Sequence, residues 1–138
     1  MKIISDNRKA RFNYNLLDSF ESGIVLTGEE IKSVRAGNIN LGDAYCYIDN
    51  GEMWIKNLHI TSQDPIRTRK LLLNKQEIRK IESKVKSKGV TAIPKQVYLN
   101  DKGLCKISIA IATGKKDFDK RNSIKERDLN RQMKNERY

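Results

Sequence analysis

The sequence is short of nearly everything from which enzyme sites, membrane anchors and disulfide scaffolds are built. It holds 2 cysteines, 1 histidine, 1 tryptophan and 2 prolines in 138 residues. Two cysteines are too few for a disulfide framework and suit a reduced compartment. The lone histidine, His59, would make a metal site only by meeting Cys46 and Cys105 across the fold, because no CxxC or HxxxH spacing exists. Buried thiols and an ordinary strand histidine are expected instead, with no metal and no other cofactor. No run reaches 18 apolar residues, so no membrane-spanning helix is expected. Met1-Lys2-Ile3-Ile4-Ser5-Asp6 has no apolar signal core, and a cytoplasmic location is expected. The phosphate-wrapping spacing GxxxxGK[ST] is missing: Thr113-Gly114-Lys115-Lys116 reads as a basic junction. A hydrolytic triad would need His59 to meet a nucleophile and a carboxylate with nothing local to set their geometry. Glu29 and Glu30 are adjacent and serve a helix start better than acid–base work. Catalysis is therefore not expected. With 38% apolar residues and only 3 Phe and 5 Tyr beside the tryptophan, the chain can fill one modest core.

Acid is scarce as well. The 28 Lys and Arg outweigh 17 Asp and Glu, a formal net charge of +11. Such an excess attracts polyanions, nucleic acid first and an anionic membrane surface second. The charge is clustered. Arg67 to Lys88 carries nine basic and two acidic residues, and Thr113 to Tyr138 nine basic and five acidic. The first fourteen residues add Lys2, Arg8, Lys9 and Arg11 against Asp6 alone, while Asn15 to Asp64 is nearly neutral.

Local pattern predicts a mainly β fold. Phe20–Thr27 suits a strand, and Thr27-Gly28-Glu29-Glu30 has the capping-box spacing for a short helix carrying Ile31 and Val34 on one face. Gly37 is a left-handed stop. Leu41–Ile48 and Met53–Ile60 read as strands joined by a tight turn at Asn50-Gly51. Thr61–Ile66 is a loop. Asn74-Lys75-Gln76-Glu77 is a second capping box, followed by the amphipathic stripe Ile78, Ile81, Val85 and a stop at Gly89. Val90–Leu99 is a strand in which Pro94 marks an edge or bulge. Cys105, Ile107, Ile109 and Ile111 alternate with smaller or polar residues as the clearest half-buried strand. Five or six strands with two helices fit a small closed or nearly closed β-barrel spanning residues 1–112. The remaining residues, 113–138, space their apolar groups too irregularly for independent packing. They are expected to form a mobile basic tail that a polyanion could order as a helix.

Three basic clusters are candidate RNA contacts. Arg67, Arg69 and Lys70 belong to one; the two arginines, at i and i+2, would point one way from an extended backbone, their planar forks suited to phosphate or to a base face. Asn7, Arg8, Lys9 and Arg11 form the second, with Tyr14 available to stack on an unpaired base. Glu21 could accept a hydrogen bond from a base. In the third, Gly114–Asp128, the acids Asp117, Asp119, Glu126 and Asp128 interrupt the basic run, and Asp119-Lys120-Arg121 sets one acceptor beside two phosphate donors next to the aromatic Phe118.

Four stretches carry a resemblance: NRKAR and Tyr14 within Asn7–Tyr14, FESGIVLTGEEIKSVRAGNINLGDAY at Phe20–Tyr45, DPIRTRKLLL at Asp64–Leu73, and GKKDFDKRNSIKERD at Gly114–Asp128. In this order they resemble the SsrA-binding, or small protein B, family over nearly the whole chain. That resemblance implies a compact barrel related to the oligonucleotide-binding fold, with helices outside and no catalysis. It implies binding to the tRNA-like domain of transfer-messenger RNA and delivery of that RNA to stalled 70S ribosomes for rescue by trans-translation. The tail would engage small-subunit rRNA at the decoding centre and the empty mRNA channel. Asn7, Tyr14 and Glu21 fall on family positions tied to transfer-messenger RNA, and Leu73 lies in the RTRKLLL element of the same surface. Asp119, Lys120 and Arg121 fall on the tail motif, and Lys115, Lys116, Phe118, Lys125 and Arg127 share its ribosome-binding segment. Phe118 stands where relatives carry histidine, and the Thr61–Gln63 connection is shorter than theirs. No membrane partner is implied, and a monomer is expected.

Overall fold

Strands dominate, and each helix is placed by a capping side chain. The computed structural model describes residues 1–115. The readings of Lys116, Phe118, Asp119, Lys120, Arg121, Lys125 and Arg127 fall outside the described residues. In chain order the elements are β1 Lys2–Asp6, α1 Arg8–Asn13, β2 Tyr14–Ile24, α2 Gly28–Arg35, β3 Ile39–Asn40, β4 Tyr45–Asp49, β5 Glu52–Lys56, β6 His59–Ile60, β7 Arg69–Leu72, α3 Lys75–Val85, β8 Val90–Leu99 and β9 Cys105–Gly114.

Both capping boxes form. Thr27 accepts from the Glu30 amide while the Glu30 carboxylate accepts from the Thr27 amide, and Asn74 and Glu77 do the same for α3. Gly37 and Gly89 take positive φ after their helices, at 82° and 80°. Asn50 and Gly51, at 52° and 73°, close a primed turn that fixes Asp49 opposite Glu52. Asn57, at φ 62°, breaks the strand expected over Met53–Ile60 into β5 and β6. At Pro94 the ladder between β8 and β9 slips by one residue, the bulge that a missing amide donor favours.

Nine strands and three helices form among the described residues, against five or six strands and two helices expected from the sequence. Much of the difference lies at the start. β1 pairs antiparallel with β8, from Lys2 opposite Leu99 to Asp6 opposite Gln96. Asn7 then caps α1 by accepting from the Ala10 amide. β2 begins at Tyr14, well before Phe20, because the chain leaves α1 directly into a ladder with β9.

Seven strands form one antiparallel sheet in the order β1-β8-β4-β5-β7-β2-β9, and β9 also pairs with β8, so the order returns on itself. A small second ladder joins β3 and β6. The main core gathers Met53, Ile55, Leu71, Ile107 and Ile109 from the strands and Leu58 from the β5–β6 connection with Val34 of α2 and Ile78 and Ile81 of α3. Ala10 of α1 covers Ile93 and Ala112 in a separate small cluster on the other side of the sheet. β9 is buried on both faces there: Ala110 and Ala112 are enclosed as fully as Ile109 and Ile111. β9 continues through Thr113 to Gly114, opposite Asn15 and Tyr14 of β2, two residues beyond the expected end of the folded part.

Candidate nucleic-acid interface

The arginine cluster of the 67–70 segment turns inward. Strand alternation puts Arg69 and Leu71 on the buried side of β7. Arg69 is 0% exposed. Its Nε donates to Glu30 Oε2 at 2.5 Å, and its other nitrogens reach the carbonyls of Leu58, Arg67 and Pro65. Arg67 donates to Glu30 from Nε at 3.1 Å and Nη2 at 2.5 Å, leaving part of its guanidinium in water. Glu30 is thus a buried carboxylate gripped by two guanidiniums and one backbone amide. Burial opposes its ionisation, but the hydrogen bonds from Arg67, the Thr27 amide and Arg69 together pull its pKa to about 2. The expectation that Arg67 and Arg69 both offer forks to phosphate is corrected for Arg69, which has no face left to offer. A solvated charge run and a buried ion cluster look alike in sequence until the partner, 37 to 39 residues away, is placed.

Leu73, unlike Arg69, keeps part of its surface exposed. It packs partly buried against the core, whereas Leu72 is 55% exposed. The outward leucine of the triplet is Leu72, and strand parity counted from the buried Arg69 would have found it. Leu72 borders an apolar recess of about 370 Å³ with Val25 and Leu104. Lys70 faces outward and lies 3.5 Å from Glu52.

Asn7 is buried rather than presented. Its amide nitrogen donates to the Pro94 carbonyl at 2.8 Å and to that of Leu41 at 3.4 Å, while its oxygen caps α1. It therefore ties three segments together and sets where Arg8, Lys9 and Arg11 stand. Arg8, Lys9 and Arg11 are all exposed. Lys9 pairs with Asp43 at 2.6 Å, and Arg11 makes a two-point contact with Asp6. Beside them opens a cleft of about 550 Å³ lined by Asn7, Lys9, Asn13, Tyr14, Tyr45 and Lys115. The fold thus brings the Asn7–Tyr14 cluster to the end of β9.

Glu21 is exposed on β2 and accepts a hydrogen bond from the Tyr98 hydroxyl of β8. Burial, and then the Glu21 carboxylate, push the Tyr98 hydroxyl well above its ordinary pKa, so it stays protonated and donating. Tyr98 is a positioning residue that sequence reasoning missed, since nothing local links it to a carboxylate 77 residues away. Across the molecule, α3 turns Arg79, Lys80, Lys84, Lys86 and Lys88 to solvent at its flank and end. Cys46 and Cys105 are held protonated by burial, Cys105 at about 11, and no cluster of three metal-ligating residues occurs among the described residues.

The family model for SmpB protein matches residues 4–137. The chain belongs to the SmpB family. It is 47% identical to the SsrA-binding protein of Coprothermobacter proteolyticus over 99% of this chain and 97% of that one. It is 49% identical to the SsrA-binding protein of Streptococcus mutans over 96% and 92%. Its fold superposes with a TM-score of 0.69 on a solved chain from work described as "tmRNA-SmpB: a journey to the center of the bacterial ribosome". That chain is 38% identical, with 82% of this chain and 85% of that one covered. The SmpB-family match spans every stretch on which the resemblance was read.

Proposed function

We infer that this chain is a non-catalytic RNA-binding protein that binds transfer-messenger RNA and takes it to stalled ribosomes for rescue by trans-translation. Membership of the SmpB family across residues 4–137 carries the reading. The surface chemistry supports it. Lys9 lines the Tyr14 cleft, Arg8 and Arg11 are exposed on the same helix, and Glu21 is held by Tyr98 as an oriented acceptor. Cationic side chains there can meet phosphates, a tyrosine can stack on an unpaired base, and a fixed carboxylate can read a base amino or imino group.

In this reading the sheet is a small barrel related to the oligonucleotide-binding fold, a reading favoured by the β8–β9 pairing that returns the strand order on itself. The tRNA-like domain of the RNA lies against Arg8, Lys9, Arg11, Tyr14 and Glu21, with Arg67, Lys70, Leu73 and its outward neighbour Leu72 as further contacts and Asn7 acting through its cap. The residues after β9, 115–138, serve the ribosome, where Lys115, Lys116, Phe118, Asp119, Lys120, Arg121, Lys125 and Arg127 meet small-subunit rRNA at the decoding centre and the empty mRNA channel. The protein acts as a cytoplasmic monomer. No helix among the described residues is long and apolar enough to cross a membrane.

Titration with the acceptor domain of transfer-messenger RNA and with ordinary tRNA tests the reading. Selective binding of the former, and tagging of nascent chains on stalled ribosomes only when the protein is added, is expected. Equal binding of both RNAs with no tagging would leave a general structured-RNA binder.

A further inference from the structure

The outward face of β4, β5 and β7 carries the aromatic side chains Tyr45, Tyr47 and Trp54 and the cation Lys56, none of them a contact in the reading above, beside Lys70, which is one. Parity along β4 sends Cys46 to the core and Tyr45 and Tyr47 outward; along β5, Met53 and Ile55 go in and Trp54 and Lys56 go out. On β7, Arg69 and Leu71 go in and Lys70 goes out. The register then sets these outward residues side by side. Tyr45 is opposite Lys56, Tyr47 is opposite Trp54, and Trp54 is opposite Lys70. The Tyr45 and Tyr47 rings lie 6.3 Å apart at 44°. The only tryptophan of the chain therefore stands beside Tyr47 at the end of a line of three aromatic residues, with Lys56 and Lys70 as its neighbours on the same face.

Cross-strand pairing of Tyr47 with Trp54 supports the sheet, and it still leaves ring area in contact with water that a stacked ligand can cover. Large aromatics stabilise a fold when buried, yet Tyr47 and Trp54 are only half-buried and Tyr45 is 38% exposed. The α1 helix shields the neighbouring part of the sheet, where Ala10 covers Ile93 and Ala112. At its Tyr45 end the row opens into the cleft walled by Lys9, Tyr14 and Lys115.

We propose that this face binds a stretch of unpaired RNA, its bases stacked on Tyr45, Tyr47 and Trp54 and its phosphates near Lys56 and Lys70. The occupant is argued from complementarity. Successive π-faces accept any base, and lysines along the edge match the charge of a backbone. A duplex hides its bases and has no use for a ring platform. An apolar protein surface would leave Lys56 without a counter-charge, while Lys70 already has Glu52 at 3.5 Å. The inference rests on the chain being an RNA-binding protein, and it adds to the Glu21 and Arg8–Tyr14 contacts a face that adjoins them only at Tyr45.

Trp54 reports on its own site, because all tryptophan emission comes from it. The full chain is titrated with a short single-stranded oligoadenylate, and separately with its duplex with oligouridylate, while Trp54 emission and the anisotropy of labelled RNA are followed. The single strand should quench Trp54 and the duplex should not. Tyr47→Ala, which removes one stacking ring, should weaken single-strand binding about five- to hundredfold, and Tyr47→Phe should restore it. Lys56→Glu should weaken binding without touching the core, since Lys56 is fully outward. Lys80→Glu on α3 makes the same charge change elsewhere and should leave the quenching amplitude intact.

Single-strand binding by anisotropy with unchanged Trp54 emission would overturn the proposal. So would absence of single-strand binding by a chain that still binds transfer-messenger RNA. Emission that changes on dilution of the chain alone would point to a second copy on this face and would also overturn it. Quenching by the single strand in a chain that does not bind transfer-messenger RNA would uphold the platform and defeat the functional reading instead.

Discussion

Glu30 and Arg69 have almost no contact with water, and their energetics are those of a closed ion cluster. Removing one partner of a buried pair leaves an uncompensated charge, which costs roughly 3–5 kcal/mol. Glu30→Ala strands both Arg67 and Arg69 and should sit at the upper end of that range in urea unfolding. Arg69→Met leaves Glu30 with Arg67 and the Thr27 amide and should be milder. The pH dependence has a definite sign. The Glu30 pKa falls from 4.5 to about 2 on folding, so its contribution is present above about pH 4.5. It is lost as pH falls from there towards 2. Glu30→Gln should flatten that part of the acid-unfolding curve, and an unchanged curve would mean that the carboxylate is not what the arginines hold. Glu21 makes a sharper functional test. Glu21→Gln removes a negative charge from a protein that binds a polyanion, so charge alone predicts tighter binding. A specific acceptor role predicts weaker binding to transfer-messenger RNA. Tyr98→Phe frees the same carboxylate without changing its charge and should weaken binding less. Equal or tighter binding by folded Glu21→Gln would reject the acceptor role.

At the scale of elements, β9 decides where the folded part can be cut. Gly114 pairs with Tyr14, Thr113 with Asn15, and the Lys115 amide donates to the Asn13 carbonyl at 2.9 Å. A chain ending at Ala112 forfeits these bonds, each worth about 1 kcal/mol, and opens the wall of the Tyr14 cleft. A chain ending at Lys115 keeps them. The shorter chain should melt at lower temperature and bind transfer-messenger RNA more weakly; identical melting of the two would show that the end of β9 is dispensable. The caps, turns and β8–β9 hairpin were legible in the sequence because each depends on neighbours: Thr27 with Glu30, Asn74 with Glu77, Asn50 with Gly51. β1 and α1 were not. β1 exists by pairing with β8, nearly a hundred positions away, and α1, six residues long, depends on an Asn7 cap that also binds Pro94 and Leu41. The same limit applies to the site. Basic composition and the Asn7–Tyr14 and Glu21 motifs could be read along the chain, whereas the burial of Arg69, the outward turn of Leu72 and the grip of Tyr98 on Glu21 required the sheet.

For the whole molecule the question is how a net charge of +11 divides between two RNA tasks. Contacts that neutralise phosphates release counterions, so affinity for transfer-messenger RNA should fall linearly in log–log form with salt, with a slope set by the number of contacts. Part of the basic surface of the described residues is already countered: Lys9 by Asp43, Arg11 by Asp6, Lys84 by Asp18 and Lys70 by Glu52. The slope should therefore follow the phosphates actually met and fall short of the number of basic residues. If residues 115–138 act on the ribosome and the folded part holds transfer-messenger RNA, the two tasks separate by mutation. Replacing Asp119, Lys120 and Arg121 together by alanine changes the net charge by only one, from two cations and one acid to none. Bulk electrostatics then predicts almost no effect on either task. A local grip predicts near-normal binding of transfer-messenger RNA, an unchanged salt slope, and a loss of nascent-chain tagging on stalled ribosomes. Titration and a tagging assay on the same preparation decide between them. Normal tagging by the triple variant would defeat the assignment of these residues to the ribosome. Loss of both activities with an intact circular-dichroism spectrum would place the 119–121 motif on the transfer-messenger RNA surface instead.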